Sequence, residues 1–256
     1  MATSLATKPK LRAVPEIFAV ADFQEEQKFL PAYRLFPTIF QAFLTPVMRL
    51  FFYIFGRIEI KGLENLKHIP HGVILASNHI SELDPIIIPA VLPLSSRLRP
   101  LFFTSRQRKT YVHNPRFSWR GYFYGGLLFK LLGGYPVIIG IHNYEQSLAA
   151  HIKLVDEGRT VVIFPEGTRT RDGNLREAKG GVAYLAYRTN APIVPISIDG
   201  LYNINLFELL TFKRKIKISF GKPFFVMDIL PSREVEIHDF HIAAQEVMKK
   251  IKELKG

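Results

Sequence analysis

The sequence VILASNHISELDP, residues 73–85, joins an apolar run to a polar loop and then to a second apolar run. Residues 73–77 have the length and composition of a buried strand. Asp84 and Pro85 are a typical helix start, with Asp84 as the N-cap and Pro85 at the first helical position. The stretch therefore predicts a strand, a loop that contains His79, and a helix.

His79 and Asp84 are spaced as a catalytic pair would be. A histidine that acts as a general base needs an acceptor on one ring nitrogen so that the other can take a proton, and a nearby carboxylate supplies that acceptor. The chain has no cysteine and no G-x-S-x-G segment, so it offers no obvious protein nucleophile. His79 would then activate a hydroxyl of the substrate itself. An ordinary loop histidine beside a capping aspartate is the alternative.

A second chemical block follows another predicted strand, at residues 160–164. The residues Pro165-Glu166-Gly167-Thr168-Arg169 bring a carboxylate, a flexible glycine, a hydroxyl and a guanidinium together where this strand ends. Arginine suits bidentate binding of a phosphate or carboxylate group. The alternative is a surface turn with a local Glu166–Arg169 ion pair, which would contribute little.

Together the blocks resemble the glycerolipid acyltransferase family, whose best-known members are 1-acyl-sn-glycerol-3-phosphate acyltransferases. Residues 78–85 match the family's N-H-x-S-x-x-D-P block, and residues 164–169 match F-P-E-G-T-R, with Thr170 where serine is usual. Residues 179–183 resemble its K-x-G-x-A stretch, and residues 191–198 fit its A-P-[IV] and V-P-V-x-I segments. The resemblance covers about residues 57–225.

The resemblance implies acyl transfer from a thioester donor, acyl-CoA or acyl carrier protein, to the hydroxyl of a lyso-lipid. It implies that His79 takes the hydroxyl proton and that Asp84 orients and stabilises the imidazole. No cofactor and no metal are expected. The implied substrate-binding residues are Glu166, Gly167, Thr168, Arg169 and Lys179 for the acceptor headgroup and Pro195 for the wall of the acyl site.

One block departs from the family pattern. The family usually has G-x-x-[FP]-[IV]-x-R between the two chemical blocks, with an arginine that helps to hold the acceptor phosphate. This chain has GGYPVIIG at residues 133–140, so Ile138, Ile139 and Gly140 stand where that basic residue is expected. Either Arg169, Lys179 or another basic residue binds the phosphate, or the acceptor is a lipid alcohol without glycerol phosphate, such as a lyso-aminolipid.

The formal net charge of +12 calls for an acidic partner, and anionic lipid, coenzyme A, acyl carrier protein and nucleic acid all qualify. Residues 85–144 contain no aspartate or glutamate. Basic residues there alternate with aromatic and apolar ones, as at a bilayer surface; they are Arg97, Arg99, Arg106, Arg108, Lys109, Arg116, Arg120 and Lys130. An aromatic platform for single-stranded nucleic acid is disfavoured, because the GGLLFKLL run is too apolar for a wet groove. We expect a membrane partner and no nucleic acid.

Residues 1–56 are expected to form an N-terminal arm followed by a membrane-associated segment. The segment from Leu35 to Phe55 is apolar and close to a spanning length. Pro37, Pro46 and Arg49 inside it favour two short helices in one leaflet over a single spanning helix. A helical hairpin packed on the core is the alternative. No signal peptide is expected. The prediction is a peripheral or monotopic membrane protein with its active site on the cytoplasmic side.

Residues 57–256 are expected to form one α/β domain, a mixed sheet flanked by helices. Strands are predicted at residues 58–61, 73–77, 101–104, 135–139, 160–164, 193–198 and 215–220. Helices are predicted at residues 85–92, 143–157, 180–189 and 233–254. The last helix is expected to pack on the core or cover it as a lid, with a lipid-facing role as the alternative.

Two further functions remain open from the sequence. One is a lipid hydrolase or transacylase that uses the same histidine–aspartate pair on water or on a phospholipid ester. The other is a lipid-binding relative without activity, which the missing arginine motivates.

The absence of cysteine excludes disulfides and thiolate zinc sites. The eight histidines show no H-E-x-x-H spacing.

Overall fold

The computed structural model describes residues 27–108, 111, 126–141, 143–231 and 233–255. In this part of the chain seven strands form one sheet in the order β1-β7-β6-β2-β5-β3-β4. Only β6 and β7 pair antiparallel, so the sheet is mixed. The strands are β1 (Glu59–Lys61), β2 (Val73–Ser77), β3 (Leu101–Ser105), β4 (Gly134–Pro136), β5 (Thr160–Ile163), β6 (Ile193–Asp199) and β7 (Lys217–Phe220).

Helices cover both faces of the sheet, which confirms the predicted α/β class. They are α1 (Leu35–Phe55), α2 (Asp84–Val91), α3 (Gly126–Leu131), α4 (Tyr144–Ser147), α5 (Ala149–Asp156), α6 (Gly181–Thr189), α7 (Leu206–Leu210) and α8 (Ile237–Glu253). Within the described ranges, single-turn 3₁₀ helices lie at Leu63–Leu66 and Val226–Asp228. The single helix predicted at residues 143–157 is two helices, because Leu148 leaves helical geometry with φ of −111° and ψ of 11°.

The core has two layers because alternate residues of each strand point to opposite faces. Val73 and Leu75 of β2 pack with α1 and α2, whereas Ile74 and Ala76 pack with α5, α6 and α8. All five residues of β2 are buried, as expected of a strand covered on both sides. The C-terminal helix α8 buries Phe240 and the other apolar residues on the same side of the helix. It therefore packs on the core, as predicted.

The prediction of two short helices between residues 35 and 55 was wrong, because α1 runs without a break through Pro46. A proline inside a helix removes one hydrogen bond and costs about 3 kcal/mol. Tertiary bonds on the preceding turn hold the helix in place. Gln41 accepts from the Leu101 N–H at 2.9 Å and donates to its carbonyl at 2.7 Å. Arg99 donates to the Thr45 hydroxyl at 3.1 Å.

His151 in α5 gives the fold a specific sensitivity to acid. Its Nε2 lies 3.1 Å from the Tyr135 carbonyl oxygen, and its Nδ1 is buried with no hydrogen-bond partner among the described residues. Burial lowers the pKa of His151 from 6.5 to about 4, although hydrogen bonds to backbone carbonyls oppose this. A histidine whose folded pKa is depressed stabilises the fold above its unfolded pKa, and that stabilisation is lost as the pH falls.

We expect the free energy of unfolding to fall between pH 7 and pH 4, with His151 accounting for up to about 3 kcal/mol. Chemical denaturation at several pH values measures the slope. His151→Gln should flatten it, and His68→Gln, at an exposed histidine, should leave it unchanged. Equal slopes in wild type and His151→Gln would contradict the prediction.

Candidate active site

The carboxyl ends of β2 and β5 bring the two chemical blocks together. Ala76 pairs with Ile163 in parallel register, so His79 and Glu166, each three residues further on, stand opposite one another. The His79 N–H donates to Glu166 Oε1 at 2.8 Å, and the Thr170 N–H donates to the His79 carbonyl at 2.9 Å. Binding residues in open α/β sheets collect at this edge.

His79 and Asp84 form the expected pair. His79 Nδ1 lies 2.8 Å from Asp84 Oδ2, and the aspartate is fully buried. Because a carboxylate only accepts hydrogen bonds, Nδ1 carries the proton, which makes Nε2 the basic nitrogen. Within the described residues nothing hydrogen-bonds Nε2, and the imidazole stacks on Phe164 at a centroid distance of 4.2 Å. The ring is therefore fixed with one basic nitrogen available.

Asp84 is not the helix cap that the sequence suggested. It is the first residue of α2, and its carboxylate makes no capping bond. Instead Oδ2 also accepts the N–H groups of Ile80 at 2.7 Å and Ser81 at 2.9 Å. These donors turn the carboxylate back toward the loop, where it holds both the backbone and the imidazole of His79.

Glu166 is buried behind the site, so its carboxylate is not available to an acceptor headgroup. Its two oxygens accept the N–H groups of His79 at 2.8 Å and Arg176 at 2.9 Å. Burial raises the pKa of the Glu166 carboxyl, and these N–H groups oppose the rise. Its contacts make it a brace between the two loops. The local Glu166–Arg169 pair is absent from the described structure, because Arg169 instead meets Glu82 at 3.0 Å.

We expect Glu166→Gln to lower the free energy of unfolding by about 1–3 kcal/mol, because the glutamine amide must turn its NH₂ toward one of the two buried N–H donors. Urea denaturation checks this. Glu177→Gln, at an exposed glutamate of the same loop, is the matched control and should change little. A Glu166→Gln variant as stable as wild type would show that the brace is dispensable.

The remaining predicted site residues occupy three places. Arg169 lies at the pocket with His79. Gly167 is exposed with φ of +68°, and a Cβ there would lie 3.2 Å from the Lys179 side chain, which runs beside it. The Thr168 hydroxyl accepts a hydrogen bond from Arg176.

Pro195 lies outside the pocket, contrary to its expected place in the acyl wall. It pairs with Ala76, whose side chain belongs to the layer under α5, α6 and α8. Its ring is close to the Cβ position of Gly221, beside Leu254 at the end of α8. The alternation of strand residues therefore puts Pro195 on the face of the sheet opposite His79's pocket.

A cavity of about 220 Å³ opens at His79 between α1, α2 and the edge of the sheet. Its apolar lining comes from Leu44, Met48, Ile86, Phe103, Leu132 and Phe164. Polar and charged groups also line it, among them Gln41, Thr45, Glu82, Thr104, Ser105 and Arg169. An apolar cavity with a few polar groups suits a molecule with a hydrocarbon chain and a polar head.

Sequence reasoning missed the part of α1 in this cavity. Gln41, Leu44, Thr45 and Met48 line it, so the apolar helix is also one wall of the site. The sequence signal that could have revealed this wall is a glutamine and a threonine spaced one turn apart in an otherwise apolar helix. The same reasoning gave no special place to Arg106, whose Nη2 lies 3.4 Å from the Gly167 carbonyl oxygen.

No group of three or more histidine, cysteine, aspartate or glutamate side chains that could hold a metal occurs among the described residues. Lys109, Arg116 and Arg120, part of the predicted basic and aromatic stretch, lie outside the described residues.

Comparisons with known proteins agree with this architecture. The sequence model of the acyltransferase family matches residues 57–199. A probable 1-acyl-sn-glycerol-3-phosphate acyltransferase of Mycoplasma pneumoniae is 28% identical over 203 residues, which cover 77% of this chain and 64% of that protein. The 1-acyl-sn-glycerol-3-phosphate acyltransferase of Borreliella burgdorferi is 26% identical over 208 residues, which cover 78% of this chain and 73% of the relative.

The crystal structure of the 1-acyl-sn-glycerophosphate acyltransferase PlsC from Thermotoga maritima shares the fold. It superposes with a TM-score of 0.58 at 19% identity, over 91% of this chain and 86% of that one. A paired histidine and aspartate after one strand and a glutamate loop after its neighbour place this chain among α/β proteins whose site is suited to acid–base chemistry. Within that class, the chain belongs to the acyltransferase family.

Proposed function

We propose that this protein transfers an acyl chain from a thioester, acyl-CoA or acyl carrier protein, to the free hydroxyl of 1-acyl-sn-glycerol-3-phosphate. The product is phosphatidic acid, and the proposed role is phospholipid biosynthesis. The observation that carries the proposal is the His79–Asp84 pair beside a cavity with a largely apolar lining. The activities for which the relatives from Mycoplasma pneumoniae and Borreliella burgdorferi are named support it.

In the proposed reaction His79 Nε2 removes the proton of the acceptor hydroxyl as its oxygen attacks the thioester carbonyl carbon. Asp84 holds the Nδ1 proton and stabilises the imidazolium that forms. The tetrahedral intermediate collapses with cleavage of the carbon–sulfur bond, and the imidazolium returns the proton to the leaving thiolate. The products are the ester and the free thiol. No cofactor and no acyl-enzyme takes part.

The acceptor phosphate needs a cation in place of the family's arginine, since Ile139 stands at that position. Arg106 is our first candidate. Ser105 pairs with Pro136, so Arg106 leaves the sheet at the edge where residues 137–140 leave it. Within the described part of the chain its guanidinium has no carboxylate partner and donates only to Gly167. Arg169, opposite it beside His79, is the second candidate, and the exposed Lys179 is the third.

The lipid substrates would enter along α1. Within the described residues this helix is long and apolar enough to cross a membrane. The hydrogen bonds from its side chains to the rest of the domain extend from Gln41 to Arg49. Arg49 donates to the Leu92 carbonyl at 3.2 Å. A helix bound lengthwise to a water-soluble domain fits the bilayer interface better than a spanning position. We propose a monotopic attachment on the cytoplasmic side, where the thioester donors are made.

The test is thiol release from acyl-CoA or acyl carrier protein in mixed micelles with a panel of acceptors. Wild type should release thiol with lysophosphatidate and form phosphatidate. Arg106→Gln should raise KM for lysophosphatidate about tenfold, the effect of losing one charge-assisted hydrogen bond, with little change for monoacylglycerol. Arg108→Gln is the matched control at an exposed neighbouring arginine.

Three other results would redirect the proposal. Release only with an acceptor that lacks glycerol phosphate, such as a lyso-aminolipid, would favour the second candidate function, which Ile139 motivates. Release of free fatty acid or exchange of chains between lipids without a thioester would indicate a hydrolase or transacylase. Lipid binding without turnover of any donor and acceptor would indicate a non-enzymatic lipid-binding protein.

A further inference from the structure

A second apolar surface lies far along the chain from α1. Leu206, Phe207 and Leu210 of α7 and Phe212 just after it are 64%, 65%, 42% and 47% exposed, and we call these four residues the α7 patch. The remaining apolar residue of the helix, Leu209, is 3% exposed and fixes the helix to the core. The solvent side of a short surface helix is ordinarily polar, so this arrangement marks an interaction surface.

The α7 patch is held rigidly. Asn205 and Glu208 form a capping box at the start of the helix, and Arg214 contacts the Glu208 carboxylate at 3.2 Å. Phe212 has φ of +57°, a left-handed conformation that an aromatic residue adopts only when its surroundings impose it. Its ring is thereby kept at the surface with its neighbours.

The charge around the patch fits an anionic partner. The run KRKIK, residues 213–217, follows Phe212 directly and carries four cations without an acid. Arg214 and Lys215 have carboxylate partners, Glu208 and Glu59. Lys213 lies with its Nζ 5.3 Å from the centre of the Phe207 ring. A lysine whose stem covers an exposed aromatic ring can reach lipid headgroups while the ring enters the acyl region.

The patch adjoins the C-terminal end of α1. The rings of Phe55, the last residue of α1, and Phe212 lie 5.7 Å apart between centroids. The exposed apolar face of α1 includes Phe43 at 77%, Val47 at 60% and Leu50 at 62%, and Phe55 lies at the flank of that face. A single helix in the plane of a bilayer leaves the attached domain free to roll about the helix axis. A second contact off that axis would fix the roll and with it the direction in which the cavity opens.

We propose that the α7 patch is a second bilayer contact, in which Leu206, Phe207, Leu210 and Phe212 enter the interface and Lys213 binds anionic headgroups. The inference rests on the membrane attachment of α1 and is independent of the acyl transfer reaction. It goes beyond that attachment by assigning a membrane surface to the C-terminal half of the domain.

The natural absence of cysteine permits a direct test with a single environment-sensitive fluorophore on the full chain. Phe207→Cys carries the label in the patch, and Leu50→Cys carries it on α1. Ile242→Cys is the matched control, because Ile242 is an apolar residue of α8 with 51% exposure, on a helix that packs on the opposite face of the sheet. Each protein is mixed with phosphatidylcholine vesicles that contain phosphatidylglycerol, and quenching by brominated lipids reports insertion.

We expect the labels at residues 207 and 50 to brighten severalfold with vesicles and to be quenched by brominated acyl chains, while the label at residue 242 does neither. A fluorescence response at residue 50 but not at residue 207 would overturn the proposal, as would the lack of a response at both residues. A change at residue 207 that follows protein concentration without vesicles would overturn it in favour of contact between two copies of the chain.

A second variant guards against effects of the label. Phe207→Ser combined with Leu210→Ser removes two exposed side chains and leaves Leu209 in the core. We expect vesicle binding to weaken at least tenfold, with the thermal unfolding midpoint unchanged. Ile242→Ser is the control and should bind as wild type does. Equal binding by all three proteins would contradict the proposal, whether or not the protein transfers acyl chains.

Discussion

The His79→Ala variant is expected to lose about 10²–10⁴-fold in kcat for acyl transfer while keeping its fold. The imidazole is held by Asp84 at 2.8 Å and by stacking on Phe164, so the wild-type base is already oriented when the acceptor arrives. In the variant the acceptor hydroxyl has no base to take its proton. Asp84 keeps the Ile80 and Ser81 N–H groups as partners, so the loop loses one hydrogen bond of three.

Steady-state kinetics with thiol release, beside circular dichroism, checks this prediction. His68→Ala is the control because His68 is exposed and lies outside both chemical blocks. A His79→Ala variant with wild-type turnover would remove the general base from the account. A variant that fails to fold would leave His79→Gln, which is closer in size, as the protein to measure.

The Asp84→Asn variant is expected to lose turnover on the order of 10²–10⁴-fold and also to lower the free energy of unfolding by about 1–3 kcal/mol. Within the described residues three donors, His79 Nδ1 and the Ile80 and Ser81 N–H groups, meet one oxygen of Asp84, Oδ2. The asparagine oxygen can take that place. Its NH₂ then occupies the position of Oδ1, which is buried and has no hydrogen-bond partner in the described part of the chain. The geometry is retained, but the charge that stabilises the imidazolium is gone.

The two effects separate a catalytic role from a structural one. We expect KM for the acceptor to stay within a few-fold of wild type, since Asp84 is behind the imidazole and away from the lipid. Glu166→Gln, with a similar expected loss of stability, provides the comparison. If both variants lost turnover in proportion to their stability, Asp84 would be a brace like Glu166 and the imidazolium argument would fail.

Much of this site was predictable from sequence because its determinants are local. The apolar runs at residues 73–77 and 160–163 are strands, and the pairing of His79 with Asp84 follows from their separation of only five positions in the sequence. The role of Glu166 was not predictable, because it depends on β2 and β5 being neighbours in register. That adjacency comes from tertiary packing, and it converts an apparent ligand-binding carboxylate into a buried acceptor of backbone N–H groups.

Other differences have the same physical origin. The proline at position 46 indicated a break, but bonds from Gln41 and Thr45 to distant residues keep α1 continuous. The motif at residues 191–198 suggested that Pro195 lines the acyl site, whereas strand alternation turns it to the other face. The helix α7 was missed because five residues carry too little periodicity, and most of its apolar side chains remain outside the core.

The central claim is that the His79–Asp84 pair activates the acceptor hydroxyl directly, without an acyl-enzyme. The measurement that tests it most directly is rapid-quench analysis of stoichiometric enzyme and acyl-CoA, first without and then with lysophosphatidate. We predict no thiol release until the acceptor is added, and then equal amounts of thiol and phosphatidate. A burst of thiol equal to the enzyme concentration before the acceptor is added would reveal a covalent intermediate and contradict the account.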